Sequence, residues 1–323
     1  MPKKRKSVEN FESVTTSESD KKAFPSELLS LPIQASLDYF EAKVFEHRTF
    51  LKALDAAMDA INCPAEAYLL GIYGPTGAGK TTLLKEIQKE LVRKFAAALT
   101  EDLGRLIWVY FRVPGPDSGR SLWTDVYTEY LSGLADPLLY GKIDFRTKGI
   151  KMNEDGEMQV DKTEIQKLRR AVERGIRQRK PKVVELDEAQ HLTRIASGSP
   201  DRLRDQIDVL KRLADQTQTM HLLAGNYELK ALLNAGDQTC RRTHDIHLPA
   251  YREYNGEDVE EFKNMLYTFS YHLPITEEVD LVADWEYMYE GCVGCIGTLK
   301  QWLERTLPRL ECIEYESGHA PSP

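Results

Sequence analysis

The sequence has few cysteines, no excess of positive charge and no long hydrophobic run. Five cysteines in 323 residues are too few for a disulfide scaffold and are typical of a reducing cytosol. No apolar stretch approaches the roughly 20 residues of a membrane span, and the N-terminus lacks a secretory pattern. A formal net charge of −8 excludes a uniformly basic nucleic-acid coat, so any DNA contact would need a local basic patch. These absences indicate a cytoplasmic protein with no membrane contact.

Composition and patterning divide the chain into four segments. Residues 1–24 lack an apolar cluster and are predicted to form a disordered tail of mixed charge. The folded region then comprises an α/β domain at 25–250 and a helical lid at 251–312, and a flexible tail follows at 313–323. The basic run at residues 3–6 has the composition of a targeting or polyanion-binding patch, although solvated termini are often charged as well.

Short apolar runs alternate with helical patterns through the larger segment. This alternation predicts a parallel sheet with helices on both faces, because buried parallel strands are nearly continuously apolar. Strands are predicted at 67–73, 106–113, 182–186, 220–224 and 245–248. Helical spacing is present at 37–61, 83–99, 163–179 and 201–216, and in the lid at 256–269, 276–289 and 296–306.

A long insertion, at about 114–162, separates the second and third strands. Within it, the short runs 150–152 and 158–160 flank the polar residues Asn153–Gly156. Polar turn residues between two alternating runs predict a β-hairpin. Insertions of this length in a compact domain generally have a function.

Residues Gly74–Thr81 match the phosphate-binding pattern G-x-x-x-x-G-K-[ST] in full. The glycines allow several backbone N–H groups to approach a polyphosphate closely. Lys80 is expected to reach the β- and γ-phosphates of ATP, and the Thr81 hydroxyl to ligate Mg²⁺. A predicted strand precedes this loop and a predicted helix follows it, which is the context that the motif requires. The residues assigned to ATP binding are Gly74, Pro75, Thr76, Gly77, Ala78, Gly79, Lys80, Thr81 and Thr82.

Two carboxylates and an asparagine follow the third and fourth strands. Asp187 would lie at the sheet edge beside the phosphate loop and suits Mg²⁺, and Glu188 could polarise the attacking water as general base. Glu185 interrupts the apolar run, so this strand is either nearer an edge or gives that carboxyl a local partner. Asn226 either orients the attacking water or caps a tight turn, and we adopt the first interpretation.

Together these motifs resemble the AAA+ class of phosphate-loop ATPases. The resemblance rests on GPTGAGKTT, on ELDEAQH, on the strand ending at Asn226, on Arg241-Arg242 and on the lid sequence Gly297–Lys300. It implies a P-loop α/β fold with a parallel sheet flanked by helices, followed by a small helical lid. It also implies that Asn226 is the first sensor, that Arg241 or Arg242 reaches a neighbouring subunit's nucleotide, and that Lys300 is the second sensor. Arginine is commoner at that last position, and lysine lacks its bidentate fork.

More narrowly, the chain resembles the TnsC/TniB family of transposition regulators, which includes those of CRISPR-associated transposons. The motifs that carry this resemblance are DEAQHL at 187–192, LLAGN at 222–226 and the paired arginines followed by I-x-L-P. It implies an ATP-dependent homo-oligomer, a ring or a filament, on double-stranded DNA in a bacterial cytoplasm. The implied partners are a target selector and a transposase, and ATP hydrolysis would disassemble the oligomer.

Two cationic segments are candidates for the DNA contact. One is the basic helix at 163–180, in which Lys167, Arg170, Arg174 and Arg177 form a stripe. The other is the insertion, which we prefer because loops on a rigid scaffold often bind ligands. Its cations are Arg120, Lys142, Arg146, Lys148 and Lys151. Binding through phosphates would tolerate any sequence and weaken with salt.

Other residues leave alternatives open. Cys292 and Cys295, with Cys312 and His319 downstream, could hold zinc, although small buried cysteines near glycines are more often part of a core. His191 is interpreted as a packing or state-transmitting residue and not as a base. An AAA+ replication initiator or helicase loader is the alternative function, and a nucleotide-gated scaffold with little hydrolysis is a further one.

Overall fold

The structure is a computed structural model that describes residues 24–25, 27–28, 33–115, 122–135, 150–152, 158–160, 162–194, 200–235, 243–275 and 279–316. The helices are α1 (Ile33–Ala42), α2 (Arg48–Asn62), α3 (Lys80–Lys94), α4 (Ala96–Glu101), α5 (Leu122–Gly133), α6 (Lys162–Arg179), α7 (His191–Arg194), α8 (Pro200–Thr217), α9 (Glu228–Leu233), α10 (Gly256–His272), α11 (Trp285–Cys292) and α12 (Ile296–Glu316). The strands are β1 (Leu69–Tyr73), β2 (Trp108–Arg112), β3 (Ile150–Met152), β4 (Met158–Val160), β5 (Val183–Asp187), β6 (Met220–Gly225) and β7 (Thr243–His247).

Five parallel strands form the central sheet in the order β2-β5-β6-β1-β7. Its three inner strands are the most apolar, because helices cover both of their faces. The register aligns their carboxyl ends: Tyr73 lies opposite Gly225, and Leu186 opposite Leu223. The predicted α/β fold with a parallel sheet flanked by helices is confirmed, and the segments that follow β1, β5 and β6 meet at one edge.

Three apolar clusters stabilise the fold. One covers the sheet face under α5, α6, α8 and α9, and another covers the opposite face under α2 and α3. The third joins the lid helices to α1 and includes Phe40, Phe45, Phe262, Phe269 and Leu299. The N-terminal helix therefore packs with the lid.

The chain between Leu37 and Ile61 is not one helix, although its apolar spacing is helical throughout. A non-helical segment, residues 43–47, separates α1 from α2. Phe45 in this segment is buried, with its ring centroid 4.5 Å from that of Phe269. The His47 side chain accepts a hydrogen bond from the Phe50 N–H and so caps the start of α2.

The insertion and the lid differ in part from expectation. β3 and β4 pair antiparallel, Ile150 opposite Val160, which agrees with the predicted hairpin. Of the helix predicted at 276–289, residues 276–278 lie outside the described part of the chain, residues 281–284 form a turn, and the observed helix begins at Trp285. Helix α12 continues to Glu316 and so enters the segment for which a flexible tail is predicted, 313–323. Among the described residues, no helix is both long and apolar enough to cross a membrane.

Candidate nucleotide site

The phosphate loop connects β1 to α3 at the carboxyl edge of the sheet. Gly77 and Gly79 have φ angles of +78° and +94°, which L residues with side chains rarely adopt. Gly79 directly precedes α3, so the loop ends at a helix N-terminus, where backbone N–H groups are free to meet an anion. A Cβ at Gly74 would lie 2.1 Å from the Leu248 carbonyl oxygen, so only glycine fits at the first position of the motif.

The Lys80 side chain folds back over this loop. Its Nζ donates to the carbonyl oxygens of Gly74, at 2.9 Å, and Pro75, at 2.8 Å. Burial lowers the pKa of Lys80, whereas the carboxylates of Glu188 and Asp187 act to raise it. The ammonium therefore lies within electrostatic range of both acidic residues that follow β5.

Asp187 and Glu188 occupy a tight turn at the end of β5. Asp187 Oδ1 accepts a hydrogen bond of 2.9 Å from the Glu188 N–H, and its Oδ2 lies 4.0 Å from the Arg112 guanidinium. Glu188 has a φ of +54°, an uncommon backbone conformation for a residue with a side chain. The two carboxylates and the hydroxyl of Thr81, at the start of α3, are hard oxygen donors of the kind that Mg²⁺ prefers.

Glu185 is buried in the sheet two residues before Asp187. Its Oε2 accepts a 2.8 Å hydrogen bond from Trp108 Nε1 on the neighbouring strand. Burial raises the pKa of Glu185 to about 7, against the opposing effect of this hydrogen bond. The expectation of a local partner is confirmed, and β5 lies next to the edge strand β2.

Asn226 follows β6, beside the turn that carries Glu188. Its side-chain oxygen accepts from the Glu228 N–H at 2.8 Å, which is the turn-capping geometry. Its own N–H donates to Gln190 Oε1 at 3.3 Å, and Gln190 Nε2 donates to Glu188 Oε2. Gln190 thus connects the two predicted catalytic positions. Sequence reasoning missed it, because only folding places residue 190 beside residue 226.

An open cleft lies next to the phosphate loop. Three parts of the chain line it: the segment from Lys43 to Phe50, the loop residues Ala78, Gly79 and Thr82, and the lid. The lid contributes Phe269, Ile296, Gly297 and Lys300. Its walls are mostly apolar with a few polar groups, which is typical of a site for a heterocyclic base and sugar. Residues 43–50 match no sequence motif, so their place in the lining of this cleft could not be predicted.

Lys300 has several partners in this cleft. Its Nζ donates to the carbonyl oxygens of Glu41, at 2.6 Å, and Lys43, at 3.0 Å, and lies 3.4 Å from Glu304 Oε1. These contacts connect the lid to the segment between α1 and α2. The second-sensor role of Lys300 stays a prediction.

The cysteines of the C-x-x-C sequence are buried in the lid and unpaired. Burial raises the pKa of Cys292 to about 11 and also raises that of Cys295, so both favour the neutral thiol. Within the described ranges, no three His, Cys, Asp or Glu residues form a metal-binding group. His319 and the side chain of Cys312 lie outside those ranges, so the zinc alternative is tested only for the first two cysteines.

Several predicted functional residues lie outside the described part of the chain. These are Arg241, Arg242, Arg120, Lys142, Arg146 and Lys148, together with the side chain of Lys151 on β3. On α6, the stripe of Lys167, Arg170, Arg174 and Arg177 is exposed. The alternative DNA-contacting surface is therefore accessible, and the choice between the two stays a prediction.

The site fits a magnesium nucleotide in three respects. The glycine loop presents backbone N–H groups at a helix N-terminus, the Lys80 ammonium lies over that loop, and an open, mostly apolar cleft lies beside it. Hard oxygen donors at Thr81 and Asp187 suit a metal that keeps phosphate and water ligands. Thr81 and Asp187 are thus the residues that would hold Mg²⁺ beside the phosphates of a nucleotide.

No curated protein sequence matches the chain. Among solved structures, the Aeropyrum pernix ORC2 protein is similar in its ADP form, with 16% identity, a TM-score of 0.49, and coverage of 90% of this chain and 70% of that one. The ORC2 structure with ADPNP and ADP gives 16% identity, a TM-score of 0.48, and coverages of 88% and 68%. A signal transduction ATPase with a tetratricopeptide repeat sensor, from Pyrococcus horikoshii, is 14% identical with a TM-score of 0.38. The match covers 79% of this chain and 29% of that one.

A family model, described as an AAA domain, matches residues 65–233, which is more than half of the chain. The match spans the strands β1, β2, β5 and β6 and the phosphate loop, and it includes Asp187, Glu188 and Asn226. On this basis the chain belongs to the AAA domain family and is a P-loop AAA+ protein.

Proposed function

We propose that this chain is a Mg²⁺-dependent ATPase that assembles on double-stranded DNA and regulates transposition. The observation that carries the ATPase part is that the phosphate loop, with Lys80 folded over it, lies at the sheet edge where β5 ends in Asp187 and is followed by Glu188. An AAA domain binds nucleotide, and this arrangement adds a base beside the phosphate-binding lysine. Mg²⁺, when bound, would neutralise phosphate charge, with the Thr81 hydroxyl and the Asp187 carboxylate as its ligands.

In the proposed reaction, Glu188 takes a proton from water as the water oxygen bonds to the γ-phosphorus. The bond between that phosphorus and the β–γ bridging oxygen breaks, which yields ADP and inorganic phosphate. Lys80 offsets the charge on the phosphate oxygens, and Asn226 orients the attacking water. The cleft lined by Phe45, Ile296 and Lys300 holds the remainder of the nucleotide.

The proposed oligomer completes each site with an arginine from the neighbouring copy. Arg241 and Arg242 are the candidates, and an arginine supplied in trans makes turnover depend on assembly. A mixing experiment tests this role. Glu188→Gln can donate an arginine but not hydrolyse, whereas the double variant Arg241→Ala, Arg242→Ala has a base but no arginine. Turnover in the mixture above the sum of the separate variants supports the role, and simple additivity contradicts it.

The transposition part rests on the resemblance of DEAQHL, LLAGN and the paired arginines to the TnsC/TniB family. We propose that the oligomer bridges a target selector and a transposase, and that hydrolysis releases it from DNA. The insertion residues Arg120, Lys142, Arg146, Lys148 and Lys151 would contact phosphates. Affinity for a duplex should then fall steeply with salt and not depend on its sequence.

The experiment is negative-stain imaging of the Glu188→Gln variant with an arbitrary duplex, in ATP or in ADP. We expect rings or filaments on the duplex with ATP only, and turnover lowered by about 10²- to 10⁴-fold. Glu260→Gln, at an exposed position of α10, is the control and should behave as wild type. A monomer that ignores both ATP and duplex would refute the proposal.

The same preparations distinguish the alternative functions. Assembly with ATP but without turnover in the wild type would favour a nucleotide-gated scaffold. Strong preference for one duplex sequence over an unrelated competitor would favour a replication initiator. Equal binding of unrelated duplexes, with turnover stimulated by DNA, supports the regulator.

A further inference from the structure

Gln190 makes hydrogen bonds at both ends of its side-chain amide. Nε2 donates to Glu188 Oε2, and Oε1 accepts from the Asn226 N–H at 3.3 Å. A carboxylate only accepts and a backbone N–H only donates, so both contacts require the same amide orientation. The side chain is also buried, at 6% exposure, so water does not compete effectively for either bond.

The end of β6 leaves room for this amide. A Cβ on Gly225 would lie 2.4 Å from Gln190 Oε1 and 3.4 Å from the Gln190 backbone nitrogen. The backbones are joined as well, since the Ala189 N–H donates to the Ala224 carbonyl oxygen at 2.9 Å. The glycine thus permits the close approach of the Gln190 side chain to the strand that carries Asn226.

The Glu188 carboxylate has few other restraints. Its backbone, at φ +54°, is held by the hydrogen bond from its N–H to Asp187 Oδ1. Among the described side chains, the hydrogen-bond donor to its carboxylate is Gln190 Nε2. The direction in which this carboxylate points therefore depends on the position of the Gln190 amide.

We propose that Gln190 is a positioning residue that couples the orientation of the Glu188 carboxylate to the end of β6. This inference rests on the proposed ATPase function, in which Glu188 is the base. A shift of the Gly225–Asn226 backbone would move Oε1 and, through the rigid amide, Nε2 and the carboxylate. Contact between Asn226 and the attacking water would thereby change the alignment of the base.

Two independent substitutions test this coupling. Gln190→Glu keeps the size of the side chain and an oxygen for the Asn226 N–H, but replaces the donor to Glu188 by a repelling oxygen. Gly225→Ala leaves the Gln190 residue unchanged, but the added Cβ displaces its side-chain amide from the end of β6. Because a misplaced base slows the chemical step, each should lower kcat about 10- to 100-fold and leave the ATP Kd within about twofold. Gln88→Glu, on the exposed face of α3, is the control and should leave kcat unchanged.

A double-mutant design separates positioning from a structural role. In a Glu188→Gln background the two substitutions should change the residual rate less than twofold, since no base remains to be aligned. Gly225→Ala combined with Gln190→Ala should be no slower than Gln190→Ala alone. The inference would be overturned if the two substitutions lowered the hydrolysis rate by the same factor in the wild-type and Glu188→Gln backgrounds. Unchanged kcat in both single variants would overturn it as well. The proposed base itself fails instead if Glu188→Gln hydrolyses ATP as fast as the wild type.

Discussion

The backbone N–H of Gly297 donates a hydrogen bond of 2.8 Å to the carbonyl oxygen of Gly77. The first residue belongs to the start of the lid helix α12 and the second to the phosphate loop, so lid and loop are in direct backbone contact. The Thr298 N–H approaches the same oxygen at 3.3 Å. A movement of the lid would therefore change the conformation of the phosphate loop.

Gly297→Ala should weaken ATP binding about tenfold, or roughly 1.4 kcal/mol. Its Cβ would lie 2.7 Å from the Gly77 oxygen, so either the loop or the lid must move. Calorimetric titration with ATP measures the effect. Gly256→Ala, where the added Cβ meets nothing within 4 Å, is the matched control. Equal affinities for Gly297→Ala and wild type would show that the contact does not restrain the site.

Lys80→Ala should reduce ATP affinity by at least about a hundredfold, because the loop loses its cation for the phosphates. The fold should persist, since Lys80 Nζ contacts only the carbonyl oxygens of its own loop among the hydrogen bonds described. Fluorescence competition against ATP gives the affinity, and circular dichroism checks the fold. Lys85→Ala removes an exposed lysine one turn along α3 and should bind normally. Unaltered ATP binding by Lys80→Ala would place the nucleotide elsewhere.

Lys300→Met should lower the free energy of unfolding by about 1–3 kcal/mol. The variant leaves the carbonyl oxygens of Glu41 and Lys43 without their charged donor. Urea denaturation measures the loss. Glu304→Gln removes only the ion pair and should cost less than about 1 kcal/mol. A fully stable Lys300→Met variant with impaired turnover would argue for the second-sensor role in place of the structural one.

His47 should make the protein sensitive to acid. Burial lowers the pKa of His47 from 6.5 to about 4, so the unfolded chain binds a proton that the native state excludes. This contribution to stability is present above pH 6.5 and is lost as the pH falls to about 4, by about 3 kcal/mol. His47→Asn keeps a side-chain acceptor for the Phe50 N–H but does not titrate.

The measurement is urea denaturation of wild type and His47→Asn at pH 7 and pH 4. The difference in stability between the two proteins should change by about 3 kcal/mol over this range. His221, which is buried in both proteins, contributes equally and cancels. Parallel losses of stability would mean that His47 is not the group responsible.

The sheet could be predicted from sequence because its strands have continuous apolar runs. Strands such as β1 and β6 lie within a residue or two of their predicted bounds. The break at residues 43–47 could not be predicted, since it contains no glycine or proline and Val44 continues the helical spacing. It exists because Phe45 packs against the lid residue Phe269, which is distant in sequence.

In the candidate site, too, some features follow from local sequence and others depend on contacts between residues distant in sequence. The phosphate loop and Asp187–Glu188 are local patterns, and their chemistry could be proposed from neighbours in the sequence. Gln190 and the cleft depend on contacts between separate segments, so no spacing rule reveals them. Asn226 is intermediate: its place after β6 was predictable, but its hydrogen bonds to Gln190 and Glu228 required the fold.

The chain crosses between the sheet and the lid at two points that touch each other. One crossing lies between Phe45 and Phe50, and the other between Leu248 and Tyr251, with the members of each pair in different apolar clusters. His47 Nδ1 and the Tyr251 hydroxyl join the two crossings at 2.8 Å. A rotation of the lid would therefore have its axis near this histidine–tyrosine pair. Helix α1 would move as part of the lid, because its Phe40 packs against the lid residue Phe269.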